Sequence, residues 1–333
     1  MPCLFILCGS FYVVTRERVR AKGFLSTTTT DKPLEAVSIL IGSLFLLAFQ
    51  DGLVKLTSAD VSLWQFHLIR SVANLLVLFV LTRTIWTYSQ LKPQRPWAVV
   101  LRSLLLTIQM VCFFGGVPFL TLAEIAAGFY IFPLIVVVMS AVMLRERVDT
   151  GRIVVILIGF SGTLFILKPG TEAFRPISLM PIGAAFCYAG TIITTRYLCR
   201  EESPIALSFG VNIAFLFLGI FGILVFSGLP DGQLSKTWPY LFTGWNELSM
   251  PVFGIILACS VLNLFANIGT ARAYQNAKSS WLAPFDYSYM IFAALWGFIL
   301  WGAIPDHYTI LGMTMIGGAG IFLAFRKKDP PES

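Results

Sequence analysis

The stretch SSWLAPFDYSYMIFAALWGFILW, residues 279–301, decides how the rest of the chain is read. Its length matches a bilayer, because a helix of about 20 residues covers the ~30 Å hydrocarbon core. Nearly all of it is apolar or aromatic, yet Asp286 sits near its start between Phe285 and Tyr287. A carboxylate facing lipid at the centre of a helix costs about 3 kcal/mol, so a helix that keeps one turns it toward protein or a wet cavity. Almost every other segment of the chain has the same apolar character and similar length.

Composition agrees. Of 333 residues, 57% are hydrophobic and only 12% are charged, too few to wet the surface of a soluble protein of this size. The net charge of +7 is spread between apolar runs and forms no basic stripe, which argues against nucleic acid as a partner. Six cysteines form no CxxC pair, and His67 and His307 are too few for a metal site, so neither a metal nor a cofactor is expected. The chain contains no HExxH, GxSxG or GxxxxGK[ST], the signatures of zinc proteases, serine hydrolases and ATP-driven pumps.

The expected fold is an all-α integral membrane protein of ten transmembrane helices. They are placed at 36–56, 63–81, 97–117, 122–144, 152–167, 177–198, 205–226, 251–271, 279–301 and 308–325. Lysine and arginine orient them. Alternate loops and both ends collect 18 of the 24, including Arg272, while the opposite loops hold only Lys55, Lys168, Arg175 and Lys236. By the positive-inside rule both termini are cytoplasmic, in a cytoplasmic (inner) membrane. The chain also repeats itself: IGFSGTLFILK at 158–168 lies over IGGAGIFLAFR at 316–326. Five helices per half is an odd number, so the halves have opposite topology, the inverted repeat of many secondary transporters. The resulting divisions are a cytoplasmic or interfacial segment (1–34), a first repeat (35–168), a second repeat (177–326) and a cytoplasmic tail (327–333).

Several polar residues lie inside the spans. Asp51, beside Gln50, is open to two readings, a helix-end pair with Lys55 or a cavity carboxylate. His67, Arg70 and Asn74 share one helix face, and a bridge between Arg70 and Asp51 is expected near the outer side. Arg102 and Asp286 enter their spans from the inner side and form a candidate second pair. Asp51, Arg70, Arg102 and His67 are therefore gating or ion-pair candidates. Glu124 reads as a helix-start contact with the dipole. Asn263 and Asn267 fit helix-to-helix hydrogen bonding or solute binding. Of the aromatic residues, Tyr188, Tyr287 and Trp281 are the candidates to line a cavity, joining Asp286 and Asn267 as substrate-binding residues. Gly159, Gly162, Gly317 and Gly320 read as sites of close helix approach.

The pattern resembles the drug/metabolite transporter superfamily in its EamA-type branch. The likeness rests on Phe132-Pro133 followed by Leu144-Arg145-Glu146-Arg147 in the first half. In the second half it rests on Ala283-Pro284-Phe285-Asp286-Tyr287, Gly297, Trp301-Gly302, Ile304-Pro305-Asp306 and the closing Gly317-Gly318-Ala319-Gly320. The resemblance implies paired five-helix repeats around a basket-like cavity, with the fifth and tenth helices packing or dimerising. It also implies small polar or aromatic solutes, and no enzymatic activity. The expected function is thus a non-ATP carrier working by alternating access, most simply for amino-acid or metabolite efflux, with the lipid bilayer and possible protons as partners. Uptake of a flat heteroaromatic nutrient such as riboflavin, or of a nucleoside-like metabolite, is the alternative. A membrane-embedded transferase is the reading from another class, which two isolated histidines disfavour.

Overall fold

Prolines and glycines punctuate the apolar runs, and several helices begin or end beside them. In a computed structural model of the protein the longer helices among the described residues are α1 (Pro33–Thr57), α2 (Leu63–Thr84), α3 (Pro96–Gly116), α4 (Phe132–Met143) and α5 (Thr150–Leu167). They continue with α6 (Leu179–Tyr197), α7 (Pro204–Ser227), α8 (Met250–Asn276), α9 (Ser288–Trp301) and α10 (His307–Phe325). The structure describes residues 32–57, 60–84, 87–116, 128–143, 145, 149–167, 179–228, 233, 235, 239–302 and 307–325. No strand occurs among them. Pro33, Pro96 and Pro204 open their helices, where a missing N–H costs nothing. Ser203 caps α7 by accepting the Ile205 N–H, and Gly302 closes α9 at φ +64°.

Among the described residues α1, α2, α3, α7, α8 and the helical stretch Ser279–Leu300 are long and apolar enough to cross a membrane, and α4, α5 and α10 carry shorter apolar stretches. Their outward faces are apolar: Leu76 and Val80 on α2, and Phe217, Phe221 and Leu224 on α7, are all exposed. Inside, four buried hydroxyls are satisfied within their own helix. Ser43, Thr191, Thr195 and Ser260 each donate to the carbonyl four residues back.

Two expectations are corrected. The stretch 279–301 is not one helix: a turn at Ser279–Leu282 passes into a 3-10 segment, Ala283–Tyr287, before α9 begins. Pro284 explains the break, since it has no N–H to donate and crowds the carbonyl one turn back. Helix α8 runs to Asn276, five residues past its expected end, so Arg272 is buried inside the helix instead of standing in a loop.

The helices pair in reciprocal fashion. α1 lies on α8 and on α9, as α6 lies on α3 and on α4. α2 packs on α7, and α5 on α10. Small residues allow these last two crossings. A Cβ at Gly219 of α7 would stand 2.8 Å from the Leu68 nitrogen of α2, and one at Gly162 of α5 would stand 2.8 Å from the Gly312 carbonyl oxygen of α10. Gly317 has open space around it and takes no part; the side position of Gly320 is outside the described residues.

The two ends of the bundle are each fastened by side chains that bond backbone. At the end where α1 ends, Ser62 donates to the Gly244 carbonyl, Trp64 to that of Leu241, and Gln65 exchanges two hydrogen bonds with Asn246. At the end where α1 begins, the Glu202 carboxylate accepts the Gln94 and Arg95 N–H groups. There Gln275 donates to the Cys199 and Glu202 carbonyls, and Arg196 to the Gln275 carbonyl. The first is the Thr57 end of the bundle and the second the Pro33 end.

Candidate functional site

The break before α9 brings Asp286 to the protein interior, 2% exposed. Its Oδ2 accepts a hydrogen bond from Tyr274 Oη, two residues before the end of α8, and its Oδ1 is buried with no partner. Asp51 is placed oppositely. It is exposed toward the Thr57 end, and both its oxygens are engaged: Oδ1 by the Gln50 amide at 3.0 Å and Oδ2 by Tyr289 Oη at 2.6 Å. The Gln50 oxygen in turn accepts from Asn263 at 2.9 Å, and Asn263 from Asn267 at 3.2 Å. A chain of amides on α8 and α1 thus ends on the Asp51 carboxylate.

An aromatic layer lies between the two carboxylates. Tyr130 stacks at 6.4 Å on Tyr287 and at 6.2 Å on Tyr289, the residue that holds Asp51. Phe129 and Phe132 close on Tyr188 at 5.6 and 4.8 Å. Tyr188 is half-buried, while Tyr287 is sealed against Gly159 with its hydroxyl on the Tyr130 carbonyl. Trp281 is half-buried on Phe285. Of the three aromatic candidates, Tyr188 is the one half-buried inside the layer. Tyr287 supports it from behind, and Trp281 stands beside the 3-10 segment.

Neither expected ion pair is made. Among the described residues the salt bridges are Lys32–Glu35 and Arg95–Glu201, both at the Pro33 end. Arg70 instead shares a hydrogen bond with His67 Nδ1 at 3.0 Å and rests on the Phe66 and Phe215 rings. Asn74 reaches across to Asn212 at 2.8 Å, so this stripe faces α7. Arg102 donates from Nε to Thr195 of α6 at 2.8 Å, and its Nη1 is buried without a partner. The Lys55 side chain, Glu124, Glu146, the 304–306 motif, the first 31 residues and the tail from Arg326 lie outside the described residues.

Tyr274, Tyr289 and Glu202 carry contacts that the sequence reading did not assign. Tyr274 and Asp286 are twelve residues apart, but only the turn between them makes them neighbours. The Glu201-Glu202-Ser203-Pro204 run was the available sign of a helix start with acids beside it.

The EamA-like transporter family matches this chain twice, over residues 34–168 and 175–326. The chain belongs to that family. It is accordingly a multi-pass membrane protein that transports small molecules, and not an enzyme. The EamA-like chain is 24% identical to the pseudopaline exporter CntI of Pseudomonas aeruginosa, across 85% of its own length and 94% of that protein. It is 29% identical to a riboflavin transporter of Vibrio cholerae over 55% of its length and 56% of the relative. With an S-adenosylmethionine uptake transporter of Rickettsia prowazekii it shares 24% identity, over 73% of its length and 76% of the relative. One crystal structure superposes with a TM-score of 0.70, at 17% identity, covering 88% of this chain and 97% of the other, a likeness of fold.

Proposed function

We propose that this transporter is a secondary carrier that moves a small metabolite across the cytoplasmic membrane by alternating access between two inverted five-helix halves. Efflux of an amino acid or related metabolite is the leading form. The observation that carries the reading is the pair of carboxylates that make no salt bridge among the described residues, one open and one sealed, on either side of an aromatic layer. A carrier needs a site that solvent reaches from one face at a time, and this arrangement supplies an open side and a closed side.

The halves are read as 35–168 and 177–326. The reciprocal pairing supports this: exchanging α1–α5 for α6–α10 turns each described pairing of α1 with α8 and α9 into that of α6 with α3 and α4. It also sends α2·α7 and α5·α10 onto themselves. The Pro33 end, with both termini, is assigned to the cytoplasm from the lysine and arginine bias. The state described then has its cytoplasmic end closed and Asp51 open to the outside. Protons are candidate coupling ions, with Asp51 the carboxylate that outside water reaches. The exposed apolar residues of α5 and α10, among them Leu157, Ile158, Ile310 and Leu311, are where two copies would meet.

Uptake of a flat heteroaromatic solute is the second reading, favoured by the stacked Tyr130, Tyr287 and Tyr289 rings and by the riboflavin-transporting relative. Flux assays in proteoliposomes with radiolabelled amino acids and riboflavin separate the two. Saturable amino-acid flux without nucleotide is expected; saturable riboflavin flux alone would install the second reading, and no flux of any solute would overturn both.

A further inference from the structure

The outer surface of the bundle carries a groove of about 430 Å³ between α1 and α8, within the size range of small-molecule sites. Ser38, Gly42 and Phe45 line it from α1, on the face opposite the buried Ala36, Leu40 and Leu44. From α8 come Phe265, Ile268 and Gly269, and Phe265 continues the exposed line of Leu257 and Val261. The groove therefore opens to the membrane and not to the aromatic layer. Gly42 keeps it open, since no atom stands within 4 Å of its side position.

The lining calls for hydrocarbon. Its two hydroxyls, those of Ser38 and Ser43, already spend their hydrogens on the Leu34 and Ile39 carbonyls. A polar solute or a water would find little to bond there. From Ser38 to Leu46 the groove runs about 12 Å at 1.5 Å per residue, against about 15 Å of hydrocarbon in one leaflet.

One end of the groove carries charge. α1 and α8 run antiparallel in a register fixed by the Lys32 N–H on the Asn276 carbonyl at 2.7 Å and by Asn263 on the Gln50 side chain at 2.9 Å. That register brings Arg272 opposite Glu35 and Ala36, one turn beyond Ile268 and Gly269. Arg272 stands on the same line of α8 as Val261 and Phe265, yet it is 1% exposed, and its Nε and Nη1 meet no acceptor. Glu35 does not bridge it, because Glu35 pairs at 3.6 Å with Lys32. A buried guanidinium without a counter-charge is strongly unfavourable. Phosphate oxygens are among its best acceptors, and the arginine stem is long enough to turn its head into the headgroup layer.

We propose that this groove binds an acidic phospholipid from the leaflet at the Pro33 end. One acyl chain lies between α1 and α8, and Arg272 holds the phosphate with Lys32 beside it. An acidic headgroup is selected over a zwitterionic one because two cations share a single carboxylate here, which leaves a positive charge to be met.

The test is native mass spectrometry of the full chain released from neutral detergent, titrated with phosphatidylglycerol or with phosphatidylcholine of the same acyl chains. The first phosphatidylglycerol should bind about tenfold more tightly, the size of one charge-assisted contact. Arg272→Gln should bring it to the level of phosphatidylcholine. Gly42→Leu, which fills the groove where space is free, should weaken both lipids by the same factor and leave their ratio unchanged. Equal affinity of the two lipids in the unmodified protein, or a preference that survives Arg272→Gln, would overturn the site. Should Arg272→Gln fail to fold, binding untouched by Gly42→Leu overturns it equally. Glycerol 3-phosphate, which has the anion and no chain, should not be retained; retention as firm as that of the lipid would replace the proposal with a free-anion site. A dimer in place of retained lipid, dispersed by Gly42→Leu, would give the groove to a second copy instead.

Discussion

Asp51 is exposed, with Gln50 and Tyr289 donating to one oxygen each, whereas Asp286 is sealed, with Tyr274 on one oxygen and nothing on the other. The two share a side chain and a bundle but not an environment. An open, fully bonded carboxylate is stable as it stands. A sealed one with an unmet oxygen is costly until something arrives, and such residues inside membrane bundles mark pathways more often than scaffolds. Under the proposed carrier function, the sealed carboxylate is the one read as binding solute and the open one as serving entry.

The largest effect should come from neutralising the sealed residue. Asp286→Asn is expected to lower flux in proteoliposomes at least 100-fold while leaving the melting temperature unchanged or higher, because an uncompensated buried charge has gone. A melting temperature that fell with the flux would make Asp286 a scaffold residue and erase the contrast.

Neutralising the open residue should do less. Asp51→Asn is expected to slow flux about tenfold, since it removes one charge-assisted partner each from Gln50 and Tyr289, each such bond contributing about 1.5–3 kcal/mol. Affinity for solute, read by thermal shift, should move less than flux. An equal loss of both would place Asp51 in the binding site beside Asp286.

Removing the two tyrosine hydroxyls sharpens the comparison further. Tyr274→Phe leaves the Asp286 carboxylate without a donor in a sealed site, at a cost of about 1–3 kcal/mol. Tyr289→Phe exposes Asp51 Oδ2 to water that can replace the hydroxyl, so its cost should be a fraction of that. Chemical or thermal melts of the two variants decide it. Equal costs would mean that Asp51 is as dry as Asp286.

The smallest signal is a reporter. Cys199 sits in the turn after α6 at the Pro33 end, fully buried, and burial pushes its thiol up to about 11. Because the thiolate is the nucleophile, maleimide should label Cys199 slowly at neutral pH, faster as pH rises toward 11, and faster whenever that end opens. Labelling measured with Cys199 as the sole cysteine should rise with added solute. Rapid labelling in its absence would show that the Pro33 end is not the closed one.

The membrane class, the all-helical character and the family likeness were legible because they rest on composition and period. Pro284 marked the break in 279–301, but only the folded chain shows that the break becomes a 3-10 segment that turns Asp286 inward. Depth along a helix made Asp51–Arg70 and Arg102–Asp286 reasonable pairs. Depth does not tell which face a residue presents, and Arg70 turned to His67 and Phe215 while Arg102 turned to Thr195. The small-residue reading of Gly162 held, at the crossing with α10, because close approach depends only on the missing Cβ. Hydrogen bonds such as Tyr289 to Asp51, 238 residues apart, leave no local trace in a sequence.

Counterflow tests the central claim most directly. Proteoliposomes holding the purified chain are loaded with the unlabelled amino acid that binds best, and its radiolabelled form is added outside without nucleotide. Alternating access predicts that tracer accumulates transiently above its outside concentration and then decays, and that Asp286→Asn vesicles show no such overshoot. Tracer that merely equilibrates, at a rate linear in concentration, would contradict a carrier.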